Sequence, residues 1–302
     1  MLRVGSPRVA AAANATPEDG FAQVRAARSR RSGRLLALLQ STTFLIGTAI
    51  VLFWVVDAVF WPAIVPQNPQ ALNPTATLAP PSAAHWFGTD DLGRDVLSRT
   101  LAGAASVLTV APAATALGLL GGIVVGLIGG YYRGVVDDVL MRVVDALLAF
   151  PLIVIAVLVL AVLGPSVLNV ILVIGFVFTP IVARTVRSAV LAEREREYVA
   201  AARLLGSSSV AIMVVEILPN ITAPLAVEAT IRFGYAVFTS ATLAFLSLGV
   251  QQPSPDWGLT ISLARANLET APWIALFPAA ALATLIVGIN LAADGLRQVL
   301  QE

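Results

Sequence analysis

Residues 105–130 read ASVLTVAPAATALGLLGGIVVGLIGG, a run without a single charged side chain. A helix of about 20 apolar residues crosses the roughly 30 Å of bilayer hydrocarbon, so this run is long enough to span one. Inside it Gly118, Gly122, Gly126 and Gly130 recur at every fourth position. In a helix that spacing puts four missing side chains on one stripe and lets another helix approach closely. It leaves open whether that helix belongs to the same chain or to a neighbour.

Working outward, similar runs lie near 35–65, 139–163, 167–186, 221–249 and 272–293. The expectation is an all-α membrane protein of six transmembrane helices. Composition agrees: of 302 residues 58% are hydrophobic and 12% charged, with a mean hydropathy of +0.85, too apolar for a soluble domain of this length. Pro151, Pro180, Pro224 and Pro278 fall inside or at the start of later spans, where each removes a backbone hydrogen bond and permits a bend.

Charge sets the orientation. Residues 1–34 carry Arg3, Arg8, Arg25, Arg28, Arg30, Arg31 and Arg34 among Ala, Ser and Pro, a composition expected of a disordered cytoplasmic tail. The apolar stretch after it is too long for a cleavable signal peptide. With that tail inside, inner segments also collect Arg133, Arg142, Arg184, Arg187, Arg194, Arg196, Arg203 and Arg297. The outer ones keep Arg94, Arg99 and Arg265, and Arg232 falls within a span. This asymmetry follows the positive-inside rule and puts both termini in the cytoplasm. The same topology sends Trp54, Trp61, Trp86, Trp257 and Trp273 to the outer half of a span or an outer loop, where amphipathic rings favour the headgroup zone. The chain divides into the tail (1–34), a first helix with outer loop and interfacial helix (35–104), and a five-helix core (105–302).

The sequence has no Lys, no Cys and one histidine, His85. Without Lys there is no phosphate-loop lysine and no Schiff base, so ATP, if used, is hydrolysed by another chain. Without Cys there is no disulfide, thiolate metal site or lipidated cysteine. A single His reads as an ordinary loop residue, because metal sites need several ligands. No enzyme activity, metal or cofactor is expected in the chain itself.

The most polar stretch of the core is 184–220, RTVRSAVLAEREREYVAAARLLGSSSVAIMVVEILPN. The spacing predicts a helix over 193–205, supported by Glu193 with Arg196 and by the alanine run, then a stop at Gly206. A second helix, capped by one of Ser207 to Ser209, is predicted to end before Pro219. The small face of Ala200, Ala201 and Ala202, beside Tyr198 and Leu205, suits a partner's groove. A surface loop without a partner is the other reading.

The run Tyr198-Val199-Ala200-Ala201-Ala202-Arg203-Leu204-Leu205-Gly206, with Ile217-Leu218-Pro219-Asn220 after it, resembles the EAA loop of binding-protein-dependent ABC importer permeases. In that family the loop, here about 191–220, forms the coupling helix that docks on the ATPase subunit. This chain departs from the pattern at Ala200, usually glutamate, and at Glu216, often histidine, so any salt bridge made by that glutamate is missing. His85 to Arg99, HWFGTDDLGRDVLSR, is similar to the signature of the peptide, dipeptide and nickel permeases, in particular their second (C-type) channel subunit. Its elbow comprises Gly88, Thr89, Asp90, Leu92, Gly93, Arg94 and Asp95. Physically, Thr89 is expected to cap a helix with Asp90 and Asp91 in its first turn, and Leu92, Val96 and Leu97 to face it apolar as an interfacial helix. Both a structural elbow and a substrate contact remain open. Residues 245–262, FLSLGVQQPSPDWGLTIS, resemble the same subfamily. Ser254 as cap and Pro255 at the first helical position predict a short outer helix anchored by Trp257.

The resemblance implies a type I ABC importer permease fold in the bacterial plasma membrane. It further implies a related permease subunit as partner, two ATP-binding modules holding ATP and Mg, separate or fused, and an extracytoplasmic binding protein. Candidate path residues are Glu228, Arg232, Thr239, Ser240 and Thr242, since polar groups in a span face a partner or a cavity. Glu228 and Arg232 also have the spacing of a self-contained ion pair. Relatives often carry a glutamate where Ser240 stands. Asp57 and Asp294 are expected at solvated span ends. A nickel or other chelate importer is the alternative cargo, and an ion-driven secondary transporter the alternative class. The latter predicts broken helices in repeated halves, which the sequence does not display.

Overall fold

The computed structural model describes residues 38–301, and the tail expected over 1–34 lies outside them. Among the described residues the regular structure is helical, apart from one isolated bridge between Thr89 and Asp95. The helices are α1 (Thr42–Ile64), α2 (Val96–Tyr132), α3 (Gly134–Leu148), α4 (Leu152–Leu163), α5 (Val167–Glu193), α6 (Glu197–Leu204), α7 (Ser209–Asn220), α8 (Thr222–Phe245), α9 (Trp257–Ala264) and α10 (Trp273–Gln301). Four of them, α1, α2, α5 and α10, are long and apolar enough to cross a membrane. Two bent pairs, α3 with α4 and α7 with α8, raise the number to as many as six.

The run over 139–163 is therefore not one straight helix. Pro151 lacks an N–H and disfavours helical backbone at the residue before it, and α3 and α4 meet there at 84°. The halves differ chemically: α3 carries Asp137, Asp138, Arg142 and Asp145, whereas α4 is wholly apolar. Nor does the second loop helix stop before Pro219. It runs on to Asn220 because Ile212–Ile217 widens into a π-turn, with the Leu218 N–H donating to Met213 five residues back. The wider turn re-pairs the backbone around the proline's missing donor, and α8 then departs at 72°.

The centre of the bundle is the parallel pair α2 and α5. Gly118, Gly122, Gly126 and Gly130 lie against Phe178, Val182, Val186 and Val190, two series that both step by four. A Cβ on Gly126 would fall 2.6 Å from Val186 Cβ, and one on Gly130 2.8 Å from Val190 Cβ, so the close approach needs hydrogen at each position. Both helices belong to this chain. In the antiparallel pair α1 and α10, Gly47 meets the Gly288 carbonyl and Gly295 meets Phe44.

These pairings define two ends. One gathers Arg133, Arg184, Arg187, Arg194 and Arg203, where α2, α5 and α10 finish and α1 and α8 begin; the other holds the elbow and α9. The tryptophans of the second end do not form a uniform belt. Trp54 and Trp257 are buried and pack edge to face at 5.0 Å, while Trp86 is exposed. An indole finds its N–H a partner and fills the core there instead of marking the interface: Trp54 Nε1 donates to Thr284 and Trp257 Nε1 to the Thr100 carbonyl. Asp57 is likewise not at a solvated end. It is 3% exposed, seven positions before the end of α1, whereas Asp294 is exposed.

Candidate functional site

At the arginine end, α6 is held by one face and free on the other. Val199 and Ala202 are buried in a cluster with Val186, Val190, Ile212 and Ile217, which is why so short a helix persists. The Tyr198 hydroxyl donates to Glu193 at 2.9 Å. Burial, with the adjacent Glu193 carboxylate, pushes that phenol up to about 12, so it remains a donor throughout the physiological range. Arg187 holds Asp137 of α3 through two bonds of 2.5 and 2.6 Å, Arg184 holds Asp145, and Arg194 reaches the Tyr131 carbonyl. The loop thus rests on a braced platform.

The free face is apolar. Ala200 and Ala201 are exposed, and Leu204 and Leu205 are 89% and 85% exposed. Arg203 lies over the Tyr131 ring at 5.2 Å. Gly206 has φ of +78° with open space around it, and Ser208 caps α7 by accepting from the Ala211 N–H. The helix–turn–helix expected from the sequence is present, shorter at its start because α5 continues to Glu193. Ala200 points to solvent, so the departure from glutamate removes a surface charge and no internal bond.

At the other end the elbow is a turn and not a helix. Thr89 caps nothing: its Oγ1 accepts from the Ala79 N–H and donates to the Ala76 carbonyl. Asp90 accepts from the N–H groups of Leu92 and Arg94 at 3.0 and 2.9 Å and from Arg94 Nε at 2.6 Å. The chain turns through Gly88 and Gly93 at φ of +74° and +72°, where a side chain on Gly93 would collide with the Asn73 carbonyl. The helix cap is Asp95, which accepts from Ser98 N and Oγ at 2.8 and 2.7 Å and pairs with His85 at 2.9 Å. Leu92 is an exposed turn residue, and Val96 and Leu97 open α2 directly, so no separate interfacial helix exists among the described residues.

Next to the elbow stands α9, capped not by Ser254 but by Asp256, which accepts from Leu259 N at 3.1 Å. Burial pushes the Asp256 carboxyl up, although Leu259 and Ser106 donate to it. Trp257 is fully buried, and Gly258 lies so close to the Ala241 carbonyl that no side chain fits.

Between the two ends α8 presents a stripe. At about 100° per residue, Glu228, Arg232, Tyr235, Thr239 and Thr242 fall on one side. Tyr235 is exposed, Thr239 and Thr242 are half-buried, and Glu228 pairs with Arg232 at 2.7 Å. The Arg232 guanidinium also covers the rings of Phe178 and Tyr235. Ser240 is off this stripe and 3% exposed. Glu228 lines a cavity of about 340 Å³ with Thr185 and Arg297. Sequence reasoning missed Arg99, Asp95 as cap and the burial of Trp257. Asp followed three residues later by Ser was the available signal for the cap. Among the described residues no cluster of three or more His, Asp or Glu could hold a metal.

Residues 122–302 match the family model described as a binding-protein-dependent transport system inner membrane component. A dipeptide transport system permease protein of Alkalihalophilus pseudofirmus is 39% identical over 94% of this chain and 92% of its own length. A di/tripeptide transport system permease protein of Pseudomonas aeruginosa is 38% identical over 84% and 86%. A probable D,D-dipeptide transport system permease protein of Escherichia coli is 35% identical over 88% and 90%.

Proposed function

This chain belongs to the family of binding-protein-dependent transport system inner membrane components, and on that premise we propose that it is a channel subunit of an ATP-driven peptide importer. The observation that carries the reading is the exposed pair Leu204 and Leu205 at the C-terminal end of α6, a helix anchored by Val199 and Ala202. Apolar side chains held rigidly away from the core are what a helix offers to a partner's groove. Tyr198, Ala200, Ala201, Arg203, Leu204, Leu205 and Gly206 form the contact with an ATPase module, which binds ATP and Mg, while buried Ala202 faces the platform and takes no part in the contact. Closure of the modules pushes α6, and the braced platform transmits the push to α5 and α2.

The chain then has six spans, counting each bent pair as one, with both termini in the cytoplasm of a bacterial plasma membrane. It pairs with a related permease subunit, and a binding protein delivers cargo at the elbow end. The stripe of Arg232, Tyr235, Thr239 and Thr242 on α8 faces the path, with Glu228 at its inner end. Hydroxyl groups there offer a peptide backbone partners when its water is removed. Ser240 has no part in the path.

Uptake of labelled di-, tri- and pentapeptides by cells lacking only this chain, with and without complementation, tests the reading. Loss and restoration of peptide uptake is expected. Unchanged peptide uptake, in cells shown to have no second peptide system, overturns it.

A further inference from the structure

Two residues, each with a buried polar atom that has no partner among the described residues, line the same small space. Arg99 Nε and Thr260 Oγ1 each lack a hydrogen bond. Both residues line a cavity of about 10 Å³ together with Asp90, Asp91, Arg94 and Asn267. Arg99 is 1% and Thr260 4% exposed, so bulk solvent does not satisfy them. Leaving such groups unmet is unfavourable, and the common remedy is an ordered water where the space is polar and about one water in volume.

The surrounding bonds engage both terminal nitrogens of Arg99 and leave its Nε without an acceptor among the described residues. Arg99 Nη1 donates to the Pro69 carbonyl at 3.1 Å and Nη2 to the Ser254 carbonyl at 3.2 Å. Its Nε lies 3.6 Å from Asp90 Oδ2, beyond a direct bond, and that oxygen already accepts from Arg94 at 2.6 Å. A polar separation of that length is where a bridging water belongs. The near end of α9 is already fastened to α2, by Trp257 to Thr100 and by Asp256 to Ser106. Thr260, one turn further on, is the point with no direct tie.

We propose that this cavity binds one ordered water, which accepts from Arg99 Nε and bonds to Thr260 Oγ1. Arg99 is thereby the positioning residue that locks α9 to the elbow. It acts on three segments at once: the loop at Pro69, the approach to α9 at Ser254, and α9 itself through the water. With both turns of α9 held, this side of the molecule moves as one body, whatever the cargo.

The test uses the complete transporter with its partner subunits, imaged at a resolution that shows waters. The expected result is a density peak within about 2.7–3.2 Å of both atoms. Thr260→Val keeps the shape and removes the hydroxyl. It should lose the peak and speed amide exchange across 257–264 about tenfold, while Thr260→Ser restores both. An empty cavity in the wild type, Arg99 Nε bonded directly to a protein acceptor, or exchange in Thr260→Val equal to wild type overturns the proposal.

Discussion

At the elbow end polar groups are buried and paired, whereas at the arginine end apolar groups stand in the open. Asp90, Arg94, Asp95 and Arg99 are each no more than 3% exposed and bonded to one another or to backbone, and Trp257 at the start of α9 is fully buried. Leu204 and Leu205 are almost fully exposed, and the space where a Cβ on Gly206 would lie is open. The first region is complete in itself. The second leaves apolar side chains uncovered, and on the proposed docking of an ATPase module there the two should respond in opposite ways to mutation: one through stability, the other through coupling.

The largest effect is expected at the elbow. Asp90→Ala leaves Arg94 buried without its carboxylate, which destabilises by about 3–5 kcal/mol, read as a large fall in the melting temperature of the detergent-solubilised protein. Gly258→Val comes next, at the upper end of about 1–3 kcal/mol, because the new side chain meets the Ala241 backbone and not a yielding side chain. Gly206→Val is intermediate at about 1–2 kcal/mol, since φ of +78° strains a β-branched residue even in open space. Membrane insertion should survive while uptake is lost, and wild-type uptake in that variant would refute the coupling role of the turn.

Replacing Leu204 and Leu205 together by Ser should shift stability by no more than about 0.5 kcal/mol, yet abolish co-purification of the ATPase and uptake. If this double variant melts as far below wild type as Asp90→Ala does, the contrast between the ends is false. The smallest effect belongs to Ala200→Glu, which restores a charge on an exposed face and is worth about 0–1 kcal/mol in affinity for the ATPase, measured by titrating the purified module.

Much of this was legible beforehand, and the failures share a cause. Length and apolarity reveal spans because a bilayer imposes one thickness, and the glycines at 118, 122, 126 and 130 announced a close helix contact without naming its partner. Only three dimensions supply Phe178, Val182, Val186 and Val190 as that partner. Pro151 was visible, but an apolar average over 139–163 concealed that Asp145 binds Arg184 of α5, and Asp137, just before that run, binds Arg187. Caps were misplaced where several candidates crowd together: the Thr89 hydroxyl is taken by Ala76 and Ala79, which leaves Asp95 as the cap, and at α9 it is the Asp256 carboxylate, two residues beyond Ser254, that meets the Leu259 N–H. Trp257 looked like an interfacial anchor because sequence cannot distinguish an indole at a membrane surface from one in a core. The helix–turn–helix over 197–220 was legible because its signals, an alanine run, a left-handed glycine and a serine cap, are local.

The parallel glycine pair also sets a timetable for biosynthesis. Each of the four stripe glycines of α2 meets a side chain made sixty positions later, Gly118 with Phe178 and Gly130 with Val190. At about 5–20 residues per second the ribosome needs roughly 3–12 s to cover that distance. During this interval the bare stripe waits in the bilayer, with α3 and α4 still to be threaded before its ridge emerges. This seam of the finished molecule thus cannot close until sixty residues after its first half is made, and a stall anywhere in 131–177 would leave it open.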